Sequence, residues 1–286
     1  MRRISIVGCG YTGSRLAARW LTLRHPVRGF ASRESTLQQI AATGAVPETL
    51  NLDEPGGARV DFDGEIVYYS VPPAPVAERD LRLERLLDNV EGSPRRLVYL
   101  STTGVYGDRG GAAVDEESPP QPQSARAVRR LAAESTLREW ADSRSLSWCI
   151  LRIPGIYGPS RMPIERLLRR EPAIDPREAT PGNRIHVDDL VSACVAAGVS
   201  ERADGRIYNV TDGSEDSATT FLQRVARIGG LPPPPLVSRA AAERTFTKTS
   251  WSFLRESRRV DNRRMLNELG ITLAYQDLDA GIRASL

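Results

Sequence analysis

Ile4-Ser5-Ile6-Val7-Gly8-Cys9-Gly10-Tyr11-Thr12-Gly13-Ser14-Arg15-Leu16-Ala17-Ala18 opens with an apolar strand, passes through three glycines spaced as G-x-G-x-x-G, and continues as a helix from Ser14. Gly8 permits the tight bend out of the strand. Gly10 lets backbone approach a pyrophosphate, and Gly13 lets the helix pack on the strand, which leaves helix N–H groups aimed at phosphates. Such a motif alone also occurs as a packing turn that binds nothing. Its place between a strand and a helix is the context that favours dinucleotide binding. The expected cofactor contacts here are Gly8, Cys9, Gly10, Tyr11, Thr12 and Gly13.

Outward from this turn, strand and helix signals alternate, the pattern of βαβ units in an α/β fold: a Rossmann-type doubly wound parallel sheet with a smaller C-terminal substrate lobe. Strands are expected at 27–31, 64–71, 97–101, 148–152 and 207–210. Helices are expected from Ser14 to about Arg24, near 78–90, from about 124 to 143, from a cap at Asp188 or Asp189 to Ala197, over 216–229 and near 262–269. The texture changes after Gly158-Pro159, where turn residues and arginines suggest an inserted segment. Residues 1–158 and 183–204 are therefore assigned to the nucleotide-binding domain, and 159–182 and 205–286 to the small lobe.

The composition excludes several classes of protein. The net charge of +3 in 286 residues is dispersed, so nothing demands nucleic acid or an anionic membrane. No apolar run approaches a membrane span, and the first apolar stretch is a strand rather than a signal peptide; a cytoplasmic location is expected. The three cysteines, Cys9, Cys149 and Cys194, lack ligand-like spacing to either histidine and are expected as free thiols, with no metal site. Among 39 basic residues, Lys248 is the only lysine.

Further landmarks follow in order: Leu100-Ser101-Thr102-Thr103-Gly104-Val105-Tyr106-Gly107-Asp108, Leu151 to Pro159, Arg184-Ile185-His186-Val187-Asp188-Asp189-Leu190, and Tyr208-Asn209-Val210. With the glycine turn, they resemble an extended short-chain dehydrogenase/reductase of the NAD-dependent epimerase/dehydratase family, over nearly the whole chain. The resemblance implies NAD or NADP across the strand ends and a small-molecule substrate, often a nucleotide-sugar, between the two lobes. It implies Asn51-Leu52-Asp53 near the adenine, with Leu52 a cofactor contact. It also implies Val71 and Pro72 in the cofactor cleft, Ile153 and Pro154 near the nicotinamide, and a possible homodimer through the helices near 78–90 and 124–143.

The chain departs from the family at the chemistry. The usual Tyr-x-x-x-Lys pair aligns with Arg126 and Arg130, and there is no tyrosine between Tyr106 and Tyr157. A guanidinium has no accessible neutral form near pH 7 and cannot replace the phenol, although Arg130 can hold ribose hydroxyls or a phosphate. The alternative for both, and for Arg129, is a solvated helix face. Thr102 keeps the family's catalytic hydroxyl position, or else bonds only to backbone. Thr102-Thr103-Gly104 lacks the carboxylates of a dehydratase. The acidic run Asp115-Glu116-Glu117 reads as a solvated loop. Arg161 and His186 are candidate substrate contacts, and His186 alternatively positions the helix that follows it.

The second strand ends in Ala31-Ser32-Arg33 with no acidic residue to hold both ribose hydroxyls. Ser32 and Arg33 instead suit a 2′-phosphate, so NADP is expected over NAD. Two functions fit: an atypical oxidoreductase or epimerase-like enzyme, and a catalytically silent protein that senses NADP or a nucleotide.

Overall fold

A computed structural model describes residues 1–54, 56 and 59–286. Among these, seven parallel strands form the central sheet: β1 (Ile4–Val7), β2 (Val27–Ala31), β3 (Val46–Thr49), β4 (Ile66–Tyr69), β5 (Arg96–Thr102), β6 (Trp148–Ile153) and β7 (Arg206–Asn209). Their spatial order is β7-β6-β5-β4-β1-β2-β3. The order reverses between β1 and β4, and a doubly wound sheet opens its binding crevice at that switch, outside the carboxyl ends of the strands. Register brings Val7 beside Phe30 and Tyr69, and Thr102 beside Ile153.

The helices are α1 (Tyr11–Thr22), α2 (Glu34–Ala42), α3 (Leu81–Asp88), α4 (Ala125–Asp142), α5 (Ile164–Leu168), α6 (Val187–Val199), α7 (Ala218–Ile228), α8 (Arg239–Thr245), α9 (Lys248–Leu254), α10 (Arg263–Leu269) and α11 (Leu278–Ser285). Alternate strand residues face opposite layers, which builds two cores. Ile4, Ile6, Val98 and Leu100 meet Leu16, Trp20, Ile40 and Leu190 from α1, α2 and α6. Val7, Val67, Leu97 and Tyr99 meet Leu83, Leu86 and Leu137 from α3 and α4. A separate cluster of Tyr157, Leu167, Leu222, Val225, Leu278 and Ile282 joins α5, α7 and α11. All three cysteines are free and buried. No helix among the described residues is long and apolar enough to cross a membrane.

Several local expectations are corrected. The first helix begins at Tyr11, not Ser14, so the second half of the glycine motif is already its first turn. The helix expected near 78–90 is shortened to α3, because the Asp80 carboxylate accepts from the N–H groups of Arg82 and Leu83, while Val90 and Glu91 pair with Val60 and Asp61. Neither Asp188 nor Asp189 caps α6. The cap is His186, whose ring nitrogen reaches the Asp188 N–H first, and the Asp189 carboxylate accepts instead from Ala274 and Tyr275 N–H at 2.7 and 3.1 Å. Glu116 is not solvated: its side chain is buried, accepts from the Asn209 N–H at 2.8 Å and faces Arg264.

Candidate functional site

The turn between β1 and α1 is tied to the sheet on one side and open on the other. The N–H groups of Gly8 and Cys9 both donate to the Phe30 carbonyl at 3.1 Å, and the Ser70 hydroxyl donates to the Gly8 carbonyl at 2.7 Å. Gly8 has φ +87°, and a Cβ there would stand 2.8 Å from the Val71 backbone nitrogen, so both conformation and space call for glycine. At Gly10 a Cβ would meet nothing within 4 Å, because the space beside it is the cleft. At Gly13 it would press on Ile6 at 3.1 Å. Helix α1 starts from Gly10 with no side-chain cap and no acidic residue in its first turn. Its first N–H groups are left to meet an anion, with the positive end of the helix dipole behind them.

A cleft of about 920 Å³ runs from this turn across the carboxyl ends of β1, β2, β4, β5 and β6. It is bordered by the whole glycine turn from Gly8 to Gly13, by Ser32, Arg33, Leu52, Val71 and Pro72, and by Thr102, Arg126, Arg130, Ile153, Pro154 and Arg161. His186 is not there, which corrects its candidacy as a substrate contact. Its ring is 1% exposed, with Nδ1 accepting from the Asp188 N–H and Nε2 at 3.2 Å from the Ser285 hydroxyl. Burial pushes its pKa down and keeps the ring neutral, as a capping acceptor requires.

At one end of the cleft Ser32 and Arg33 are exposed. Nearby, Asp53 takes both ends of the Arg82 guanidinium at 2.7 and 2.8 Å, and Arg82 also donates to the Pro72 carbonyl. The pairing holds Asp53 below the usual carboxylate range.

At the other end, Thr102 finishes β5. Its hydroxyl oxygen accepts from the Gly104 N–H at 3.1 Å and so caps the turn at Thr103–Tyr106, which leaves the hydroxyl proton to be donated elsewhere. Neighbouring Ser101 donates to Glu134, which forms a buried ion pair with Arg152 at 2.7 Å. Helix α4 presents Arg126, Arg129 and Arg130 on one face, as spacings of three and four dictate. Arg130 is not solvated: it donates to the Tyr99 hydroxyl at 3.1 Å and the Leu100 carbonyl at 3.0 Å. Arg126 lies on the ring of Phe253 from α9, its guanidinium carbon 3.5 Å from the centroid, and donates to the Ser252 hydroxyl at 2.9 Å. Arg129 donates to the Ala77 carbonyl, and its Nε is buried with no partner among the described residues.

Among the described residues bordering the cleft, no group is poised to take up a proton near neutral pH. Burial pushes the Cys9 thiol to about 11 and raises the Tyr11 phenol, which donates to the Pro159 carbonyl. The arginines stay charged. The arrangement gathers hydrogen-bond donors and positive charge along the cleft, the chemistry that suits an anion. The spacing of Arg126, Arg129 and Arg130 could have revealed the three-arginine face from the sequence. Nothing there signals Phe253, which reaches Arg126 only through the fold.

A family model described as the NAD dependent epimerase/dehydratase family matches residues 70–211. A functionally unknown conserved protein from Silicibacter pomeroyi, of solved structure, is 31% identical; the alignment covers 99% of this chain and 98% of that one, with a TM-score of 0.85. The UDP-glucuronic acid 4-epimerase of Bacillus cereus, solved in complex with NAD, shares the fold at a TM-score of 0.75 and 18% identity, over 99% of this chain and 97% of that one. A 3-diazoavenalumate denitrifying reductase of a Streptomyces species is 32% identical over 161 residues, 52% of this chain and 51% of that protein. The chain spans about half or less of the length of the curated relatives it matches.

Proposed function

Because this chain belongs to the NAD-dependent epimerase/dehydratase family, we propose that its cleft binds a nicotinamide dinucleotide, NADP in preference to NAD, and reduces an anionic small molecule held beside it. The glycine turn fits the pyrophosphate. Its N–H groups are uncapped and the space over Gly10 is clear. Ser32 and Arg33 supply a hydroxyl and a guanidinium for a 2′-phosphate, where a NAD-selective site would carry an acid. Ile153 and Pro154 offer an apolar wall to the nicotinamide, and Phe253 brings the small lobe to the substrate end of the cleft.

The observation that carries the reductase reading is Arg126 in the place of the family's tyrosine. Oxidation of an alcohol needs an acceptor for the hydroxyl proton, and a guanidinium is none. When bound, the reduced dinucleotide supplies a hydride. Negative charge left on the acceptor is met by the Thr102 hydroxyl and the Arg126 guanidinium, fixed donors in a partly closed site, and water supplies the proton that completes the reduction. An epimerase cycle needs one group that takes the hydroxyl proton and returns it, whereas a single reduction can draw its proton from water. A nucleotide-sugar is the alternative occupant that the family resemblance suggests. Binding of the dinucleotide without turnover is a second reading, favoured by the same lack of an acid/base.

Calorimetry with NADPH, NADP⁺, NADH and NAD⁺ tests the cofactor. The phosphorylated pair should bind at least tenfold tighter, and Arg33→Ala should remove most of that preference. Binding of none of the four would overturn the proposal.

A further inference from the structure

We propose that the substrate held at the Arg126 end of the cleft is an aromatic carboxylate, an inference that deepens the reductase reading and rests on it. The charged side chains at this end are all cations, Arg126, Arg129, Arg130 and Arg161; beside them stand the hydroxyls of Thr102, whose oxygen already accepts from Gly104, and of Tyr11, whose proton goes to the Pro159 carbonyl. The remaining surface is apolar, formed by Ile153, Pro154, Ile156 and Phe253. A sugar ring carries several hydroxyl protons, each of which needs an acceptor when buried. Among the described residues bordering the cleft, the side-chain carboxylate and amide are Asp53 and Asn51. Both lie at the far end, where Asp53 is taken by Arg82 and the Asn51 amide donates to Glu54 at 2.7 Å. The slot therefore matches a ligand with an apolar body and an anionic group.

Arg126 indicates which anion. The guanidinium is half-buried, and the acid that acts on it, Glu256, is itself bound to Arg258 at 2.8 Å. One Nη is spent on the Ser252 hydroxyl, whose own proton goes to the Thr249 carbonyl. Stacking on Phe253 covers a face of the guanidinium and leaves its N–H edge, which accepts a carboxylate side-on and in its own plane. A flat group conjugated to that carboxylate continues in the plane of the pair, and the apolar residues Ile153, Pro154 and Ile156 border the same cleft. Phe253 itself is 60% exposed, and no residue of α9 is buried, so an aromatic surface stands at the rim beside the arginine. Stacking of a second ring is the interaction it offers.

The test uses the full chain and three probes, trans-cinnamate, cinnamyl alcohol and UDP-glucose, titrated calorimetrically with saturating NADP⁺ and again without it. Cinnamate should bind at least tenfold tighter than the alcohol, and tighter than UDP-glucose. Arg126→Gln should bring acid and alcohol level while changing NADP⁺ affinity less than twofold. Phe253→Leu, at an exposed position, should weaken acid and alcohol alike. UDP-glucose binding tighter than cinnamate, equal binding of acid and alcohol, or an unchanged cinnamate affinity in Arg126→Gln would each overturn the proposal. Failure of NADP⁺ to bind would instead overturn the cofactor reading alone, because the titrations without dinucleotide still decide between acid, alcohol and sugar.

Discussion

Asp212 and Arg126 are both ionisable groups whose roles come largely from surroundings that distant segments supply. Asp212 is 4% exposed; one oxygen accepts from the Ser214 N–H, the other has no partner among the described residues, and burial pushes the carboxyl up to about 6 against the pull of Arg184. A folded pKa above the unfolded value of roughly 4 means that the native chain keeps a proton the unfolded chain gives up. This group's contribution to stability is therefore complete below about pH 4 and is lost as pH rises through about 6, a change of roughly 3 kcal/mol at most. In Asp212→Asn, which keeps the acceptor oxygen, urea unfolding followed from pH 4 to 7 should lack that loss; parallel profiles for variant and parent would exclude the effect. Arg126 and Arg130 illustrate what residue spacing can and cannot tell. Alignment of the helix placed them at the tyrosine and lysine positions. Only the fold set Arg130 against Tyr99 and Leu100, and Arg126 against Phe253.

The element proposed to bind the dinucleotide is the β1–α1 turn, and its glycines divide the work differently than their spacing suggests. Gly8 is required by conformation and by the Val71 backbone, whereas Gly10 is required by nothing in the protein itself. Gly8→Ala should therefore destabilise the apoprotein by about 2 kcal/mol or more, since a strained backbone and a close contact coincide. Gly10→Ala should cost less than about 1 kcal/mol, as a change at a helix cap does. It should nonetheless weaken dinucleotide binding at least tenfold. Chemical denaturation and calorimetry on the two variants separate these outcomes, and a stable Gly10→Ala protein with undiminished affinity would mean that the dinucleotide does not approach that backbone. The same strand-to-helix logic made β1, β2 and β6 readable from local pattern. It misplaced the cap of α6, because aspartates ordinarily cap and the competing imidazole of His186 is an acceptor only once buried and neutral.

Across the whole molecule, the cleft joins the carboxyl ends of the sheet and residues of α1 and α4 to Phe253 of α9, so occupancy should stabilise the fold as a unit. With NADP⁺ at one hundred times its Kd, linkage adds about 2.7 kcal/mol. A chain of this size should then melt roughly 5 °C higher. The shift should fall sharply in Gly10→Ala, and an equal shift in that variant would locate the binding elsewhere. The doubly wound sheet and its glycine turn were legible in order along the chain, because strand periodicity and turn chemistry are local and each is written within a few residues. The substrate end of the cleft was not. Thr102, Ile153, Arg126 and Phe253 belong to four separate elements, and the stacking of Phe253 on Arg126 has no counterpart in sequence distance, unlike the cap that His186 makes two residues away. Contacts between segments more than a hundred residues apart are decided by which faces the cores bury together, and that is a property of the tertiary structure.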